Sequence, residues 1–378
     1  MRITNYVIIL IILMIIGSCI TQFIPETDED QNLLVVEGMI TDQAEGNTIR
    51  LSLSMPLGKK AVVKPLKGCN VTVTDDQGGT MYFPESSIPG TYISTSMGVI
   101  GRKYTLHVRT NNPITKGYSY ESLPLELKPV PTIDSIYYEK VKIADKTKWS
   151  PLLQGCQIYL DTHDPSENCK FYRWDYNETW EFRLPFSVPV NNTCWISNNA
   201  IVINIKNTSV ISEDRISRYP LNFISNETDR LKVKYSILVN QYSLNEDEFD
   251  YWEKLQNVTQ DVGSLYDIIP SSVPGNIYCV EDPVEKVLGY FSVSAKTSKR
   301  LFIKDYFSGI INLYGDCISD TIFGNTSDIP GLGVSAWILE QTYPPQPPSA
   351  VITNIKGCAD CTVRGTIVEP YFWHDDKR

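Results

Sequence analysis

Histidine is scarce in this chain, with three in 378 residues: His107, His163 and His374. A histidine-based triad or a multi-histidine metal centre therefore has few candidates. No Gly-x-Ser-x-Gly, His-Glu-x-x-His or phosphate-binding glycine loop occurs either, so no catalytic residue is assigned and no cofactor or metal is expected. Paired carboxylates for glycoside hydrolysis leave no linear signature, so a surface hydrolase stays open as the lowest-ranked reading. Basic runs are absent as well: 34 Lys and Arg stand against 44 Asp and Glu, a net charge of −10. Such a chain has no electrostatic footing on nucleic acid, and no nucleic-acid partner is expected. No apolar stretch reaches the roughly 20 residues that a spanning helix needs.

What is present begins at the N-terminus. Arg2 precedes an apolar segment, Ile3 to Ser18, closed by Ile16-Gly17-Ser18-Cys19. A positive start, an apolar run and small residues before a cleavage point form a secretory leader. Cysteine directly after Gly-Ser is the pattern of a bacterial lipoprotein, whose thiol receives lipid after residues 1–18 are removed. The expectation is a signal peptide over 1–18, lipid attachment at Cys19 and an outer-membrane location. Residues 19–32, with Glu26, Asp28, Glu29 and Asp30, read as an acidic tether holding a folded body off the membrane, displayed outward.

Roughly 360 residues follow the leader, more than one core usually organises, so two domains are expected. Tyr (22), Trp (7), Phe (12) and Pro (23) are abundant, favouring strands joined by turns. The fold class expected is mainly β. Over 33–128 the runs Leu33–Gly38, Ile49–Leu53, Val71–Thr74, Gly90–Ser94 and Tyr104–Val108 alternate or stay apolar between turn residues. About seven strands spaced this way suggest an immunoglobulin-like or transthyretin-like sandwich. This portion resembles the carboxypeptidase-regulatory-like modules of bacterial surface proteins.

Lys128-Pro129-Val130-Pro131-Thr132 reads as a stiff linker, and a larger β-rich domain is expected over 133–378. Within it, Tyr172, Trp174, Tyr176, Trp180 and Phe182 fall on one strand face. One reading is an aromatic platform, with Trp174 and Trp180 stacking a sugar or peptide side chain. The other, which is favoured, is a half-buried strand whose aromatics are core. Asp161, Asp164 and Glu167 could gather around calcium, but their spacing departs from an EF-hand loop and suits a turn.

Ser243-Leu244-Asn245-Glu246 has the form of a capping box, opening a helix over 244–258 whose Phe249, Trp252, Leu255 and Val258 make one apolar stripe. Val287–Ser294 and Arg300–Ile303 read as a strand pair. Of nine cysteines, eight remain beyond Cys19, and an exported chain permits disulfides among them, in on the order of a hundred pairings. Cys358-x-x-Cys361 is half of a zinc ribbon with no second half. A disulfide within that pair, or from it to an upstream residue such as Cys194, is preferred.

Several stretches together carry a family resemblance: the leader with Cys19, Leu34–Gly38, Tyr172-Arg173-Trp174, Glu178–Glu181 and Tyr235–Leu244. Tyr251-Trp252, Pro274–Ile277, Gly289–Ser292 and Pro370–Trp373 complete the set. The chain resembles an uncharacterised-domain outer-membrane lipoprotein family of Bacteroidota, often adjacent to SusC/SusD-type transporters. It departs from that pattern around Gly365–Pro370. The resemblance implies an accessory or ligand-binding role beside a TonB-dependent importer, with SusC/SusD-type components as partners and a peptide or glycan as ligand. It carries no catalytic residues. The alternative is a structural or adhesion component of the envelope.

Overall fold

The computed structural model describes residues 33–54, 64–144, 152–188, 190–260, 273–342 and 346–374. Cys19, the leader and the acidic tether lie outside the described residues. Among those described, no helix is long and apolar enough to cross a membrane.

The alternating runs near the N-terminus build the first sandwich. One sheet holds β1 (Leu34–Ile40), β2 (Thr48–Leu53), β3 (Lys64–Pro65) and β6 (Thr91–Ile93). The facing sheet holds β4 (Asn70–Asp75), β5 (Thr80–Tyr82), β7 (Lys103–Arg109), β8 (Ser119–Ser122) and β9 (Leu125–Glu126). Inward residues of period two, Val36, Leu51, Val73, Leu106 and Val108, close the core between them.

The boundary read near residue 128 misses two strands. β17 (Ile277–Cys279) pairs with β8, and β18 (Val287–Val293) pairs in parallel with β1 over its whole length, from Leu34 against Val287 to Ile40 against Val293. Their place in the first sandwich was hidden because parallel pairing across some 250 residues leaves no local turn signal. The chain leaves this sandwich after β9 and returns to it at β17.

The strands between, joined by one more after the return, form the second sandwich. β10 (Ile133–Ala144), β11 (Leu152–His163) and β15 (Arg215–Ser225) make one sheet. The other runs β13 (Thr193–Asn199), β12 (Phe171–Arg183), β16 (Lys234–Ser243) and β19 (Lys296–Ile303), with β14 (Asn204–Asn207) also on β12. Ile158, Leu160, Trp174, Ile237 and Val239 lie in its core. The strand pair read over 287–303 does not form: β18 joins the first sandwich and β19 the second, with Ala295 fully buried at the crossing. A small sheet of β20 (Asp320–Phe323), β22 (Ser349–Thr353) and β21 (Trp337–Thr342) precedes a short helix, α2 (Lys356–Ala359).

The longer helix, α1, spans Glu246–Gln260, two residues later than expected. The capping box is not used. Ser243 ends β16, and its hydroxyl donates to the Lys128 carbonyl (2.8 Å), so Asn245 takes the cap position, its carbonyl accepting from Phe249 N–H (3.0 Å). The acidic first turn, Glu246, Asp247 and Glu248, suits the positive end of the helix dipole. The linker is pinned along its length: Gln241 Nε2 donates to Pro131 O (2.8 Å) and Asn245 Nδ2 to Glu126 O (3.0 Å).

The returning strands approach each other at the backbone. Gly289 sits at φ +89°, and a Cβ there would lie 2.0 Å from Val36 O; a Cβ on Gly275 would lie 1.9 Å from Gly289 O. Asn276 clamps the neighbouring strand, its Nδ2 donating to Phe291 O (2.8 Å) and its Oδ1 accepting from Phe291 N–H (2.9 Å). Asn276→Ala removes both bonds in a buried setting, so we expect a loss of about 2–3 kcal/mol. Urea unfolding of the pair of proteins measures it, and a change under about 0.5 kcal/mol would contradict the clamp.

Candidate functional site at the helix junction

The aromatic platform is corrected by burial. Trp174 is 1% and Trp180 6% exposed, both inside the second core, so neither offers a face to a ligand. Trp174 Nε1 donates to Gln241 Oε1 (2.8 Å), and its ring stacks on Tyr172 (5.8 Å between centroids). A second sheet of long strands covers this face, which is why the stripe is core. Asp164 caps a turn, accepting from the amides of Ser166, Asn168 and Cys169 (2.8–2.9 Å), while Asp161 takes Ser135 and Arg218. No cluster of three or more His, Cys, Asp or Glu placed to hold a metal occurs among the described residues. The histidines stand apart: His107 meets Thr74 and Glu121, His163 meets Asp134 and His374 meets Glu369.

Cys194 bonds Cys361, and Cys358 bonds Cys317, so the Cys-x-x-Cys pair is not closed on itself. Cys358 lies on α2 and Cys361 opens the following tight turn, so the two thiols reach different partners. The remaining described thiols, Cys69, Cys156, Cys169 and Cys279, are free. Alkylation in denaturant without reductant should label these four of the eight cysteines beyond Cys19, and all eight after reduction. Peptide mass mapping checks the count and the pairing.

The chemistry gathers instead where α1 is wedged between the two sandwiches. On one side, Phe249 packs with Phe171 (5.3 Å), Tyr242 and Ile205 on the outer face of the second sandwich. Arg173 projects from that face between the rings of Trp252 (4.4 Å) and Tyr242 (4.9 Å) and pairs with Asp175 (3.4 Å). On the other side, Tyr251 meets Tyr290 of β18 at 4.7 Å. Glu248 is fully buried between the two, with Trp252 Nε1 at 3.4 Å from Oε1. Four buried polar atoms here make no hydrogen bond of good geometry: Arg173 Nε, Glu248 Oε2, Tyr290 OH and Ser294 Oγ.

A cleft of about 420 Å³ opens beside this junction. Asp247, Asp250 and Lys254 line it from α1, Leu123 and Pro124 from the β8–β9 turn, and Tyr290 from β18. Burial raises the Tyr290 phenol, and the charges of Glu248 and Asp247 raise it further. Sequence reasoning missed Glu248, Tyr290 and the Asp247–Asp250 pair. The available signal was acidic residues interrupting a helical stripe, but the strands they face come from distant parts of the chain.

The profile of a family described as a domain of unknown function, DUF4249, matches residues 20–300. The chain belongs to the DUF4249 family. The match covers the first sandwich, α1 and the second sandwich as far as the middle of β19, whereas β20–β22, Cys317, Cys358 and Cys361 lie beyond it. Curated proteins yield no match. Among solved structures, a segment of two fibronectin type-III domains from chicken tenascin is 13% identical, with 56% of this chain and 91% of that chain covered and a TM-score of 0.16. The motif residues quoted above, Gly289–Ser292, Tyr251-Trp252, Pro274–Ile277 and the end of β16, meet at the junction of the DUF4249 fold.

Burial pushes the Glu248 carboxyl up to about 7 from 4.5, against the pull of Ser292, the Arg173 charge, Trp252 and the Val293 amide. A carboxyl raised on folding binds its proton more tightly in the folded state. Its contribution is therefore complete below the unfolded value and is lost as pH rises from about 4.5 through about 7. That interval corresponds to about 3 kcal/mol. Glu248→Gln should match wild type near pH 4.5 and exceed it by about 2 kcal/mol at pH 8. Denaturant unfolding at both pH values checks this, and an equal difference at both would contradict it.

Proposed function

We propose that this chain is a lipid-anchored outer-membrane protein of a Bacteroidota-type envelope, facing outward. In this reading it works as an accessory, ligand-holding component beside a SusC/SusD-type nutrient importer. The observation that carries the reading is the order of parts at the N-terminus. An apolar leader ends in Gly17-Ser18-Cys19, and the family match begins at the next residue, 20. Acyl chains on Cys19 would contribute about 0.8 kcal/mol per buried methylene, and two or more hold a protein stably. Glu26, Asp28, Glu29 and Asp30 supply a solvated spacer between lipid and body. The wedged helix and its acidic cleft give that body a concave surface on which a ligand can sit.

Metabolic labelling with a clickable palmitate should mark wild type and leave Cys19→Ala unmarked, with the variant released from the membrane fraction. Equal labelling of the two would overturn the anchor. Gentle solubilisation should recover an importer with the wild-type protein; recovery of the protein alone, under conditions that keep transporter complexes together, would overturn the accessory role.

A further inference from the structure

We propose that the cleft between α1 and the first sandwich binds the cationic side chain of a peptide, a lysine ammonium or arginine guanidinium, on Asp247 and Asp250 with Tyr290 beneath. Asp247 and Asp250 are three residues apart on α1 and so share one helix face. Both are exposed, both line the cleft, and neither has an ion-pair or hydrogen-bond partner among the described residues. Lys254, a turn beyond Asp250, is the one cation lining the cleft and also makes no ion pair there, leaving the site with one net negative charge. An acidic first helical turn by itself would be explained by the helix dipole.

Tyr290 separates the two explanations. It is only 6% exposed and lines the cleft, yet its hydroxyl makes no hydrogen bond. Beyond burial, the charges of Glu248 and then Asp247 act on that hydroxyl. A buried phenol without a partner costs about 1–3 kcal/mol, a cost that a ligand donor or acceptor seated over it would offset. Glu248 is fully buried and is not reachable by a ligand.

The walls fit the rest of such a side chain. Leu123, 54% exposed, Pro124 and Pro274 offer apolar surface to the methylene stem, as long cationic side chains require. A cleft of about 420 Å³ accommodates one such residue with its flanking backbone, at the lower end of the range for small-ligand sites. A carboxylate-bearing or uncharged apolar ligand would meet unpaired acids at the rim and is disfavoured.

The test is calorimetric titration of the full chain in detergent micelles with the peptide Ala-Lys-Ala-Lys-Ala, acetylated and amidated. Versions with Glu or norleucine in place of Lys serve as comparisons. The Lys peptide should bind, and more weakly at high salt. Joint substitution Asp247→Asn and Asp250→Asn should weaken it about tenfold or more. Tyr290→Phe, which keeps the ring, should weaken it about threefold. Circular dichroism confirms that each variant is folded.

No Lys-peptide binding at millimolar concentration would overturn the proposal, as would equal binding of the Glu peptide. Unaltered affinity in the Asp247→Asn, Asp250→Asn variant with a lowered Tm would assign these acids to the helix dipole alone. The proposal stands on the cleft and not on the anchor: loss of the palmitate result would leave this titration unaffected.

Discussion

The parallel pairing of β1 with β18 is the constraint on which the rest of the architecture depends. It places Leu34 beside Val287 and Ile40 beside Val293, so two strands some 250 residues apart in the chain are hydrogen-bonded neighbours. Most of the second sandwich and α1 then lie between β9 and β17, and only β19 is added to it after the chain has returned to the first sandwich. Loop-closure entropy rises only slowly with length, so the long insertion is tolerable once β18 is held. Holding it requires backbone contact without side chains, which Gly275 and Gly289 allow, and the Asn276 clamp on Phe291.

From that closure the junction follows. The outer face of β18 and β1 is brought opposite the outer face of β12 and β16, leaving a gap the width of one helix. Helix α1 fills it with aromatic residues toward both sides, Phe249 and Trp252 toward Phe171 and Arg173, Tyr251 toward Tyr290. Outer sheet faces carry polar residues, because alternation put the apolar ones in the two cores. Burying those faces therefore buried Arg173, Ser292 and Tyr290, and the covering helix carried Glu248 in with it. The elevated Glu248 carboxyl and the unpartnered Tyr290 hydroxyl are consequences of covering two solvent faces with a single amphipathic helix.

Local patterns in the chain were legible and long-range ones were not. Alternating and apolar runs located β1, β2, β4, β6, β7 and β12, and the stripe Phe249, Trp252, Leu255 and Val258 located α1. Ser243 misled because its hydroxyl had a competing partner in the linker, 115 residues away. The strand pair over 287–303 misled because two apolar runs joined by a short polar segment look alike whether they pair with each other or with different sheets. Cys194 was among the partners read for the Cys358-x-x-Cys361 pair, but nothing in the sequence pointed to Cys317, since connectivity depends on which way a short helix turns its thiols. The cleft was invisible for the same reason: Asp247, Leu123 and Tyr290 are neighbours only after β18 has found β1.

The outward face of β12 shows how coverage decides where a ligand can reach. At its first end Arg173 lies under α1, and at its other end Glu181 accepts from Trp373 Nε1 (3.2 Å). Trp373 is itself packed against Phe302 and Trp195 and carries the Lys234 ammonium over its ring. The segment delivering Trp373 lies beyond the family-matched residues and is stapled by Cys194–Cys361 and Cys317–Cys358. Such cross-links act chiefly by restricting the unfolded chain, on the order of 4–5 kcal/mol each for loops this long. They hold the covering segment down without a large apolar face of its own. The rings of β12 are thus sealed by the opposite sheet and its outward face by α1 and the C-terminal segment, and the concavity left beside α1 is the acidic one at the junction.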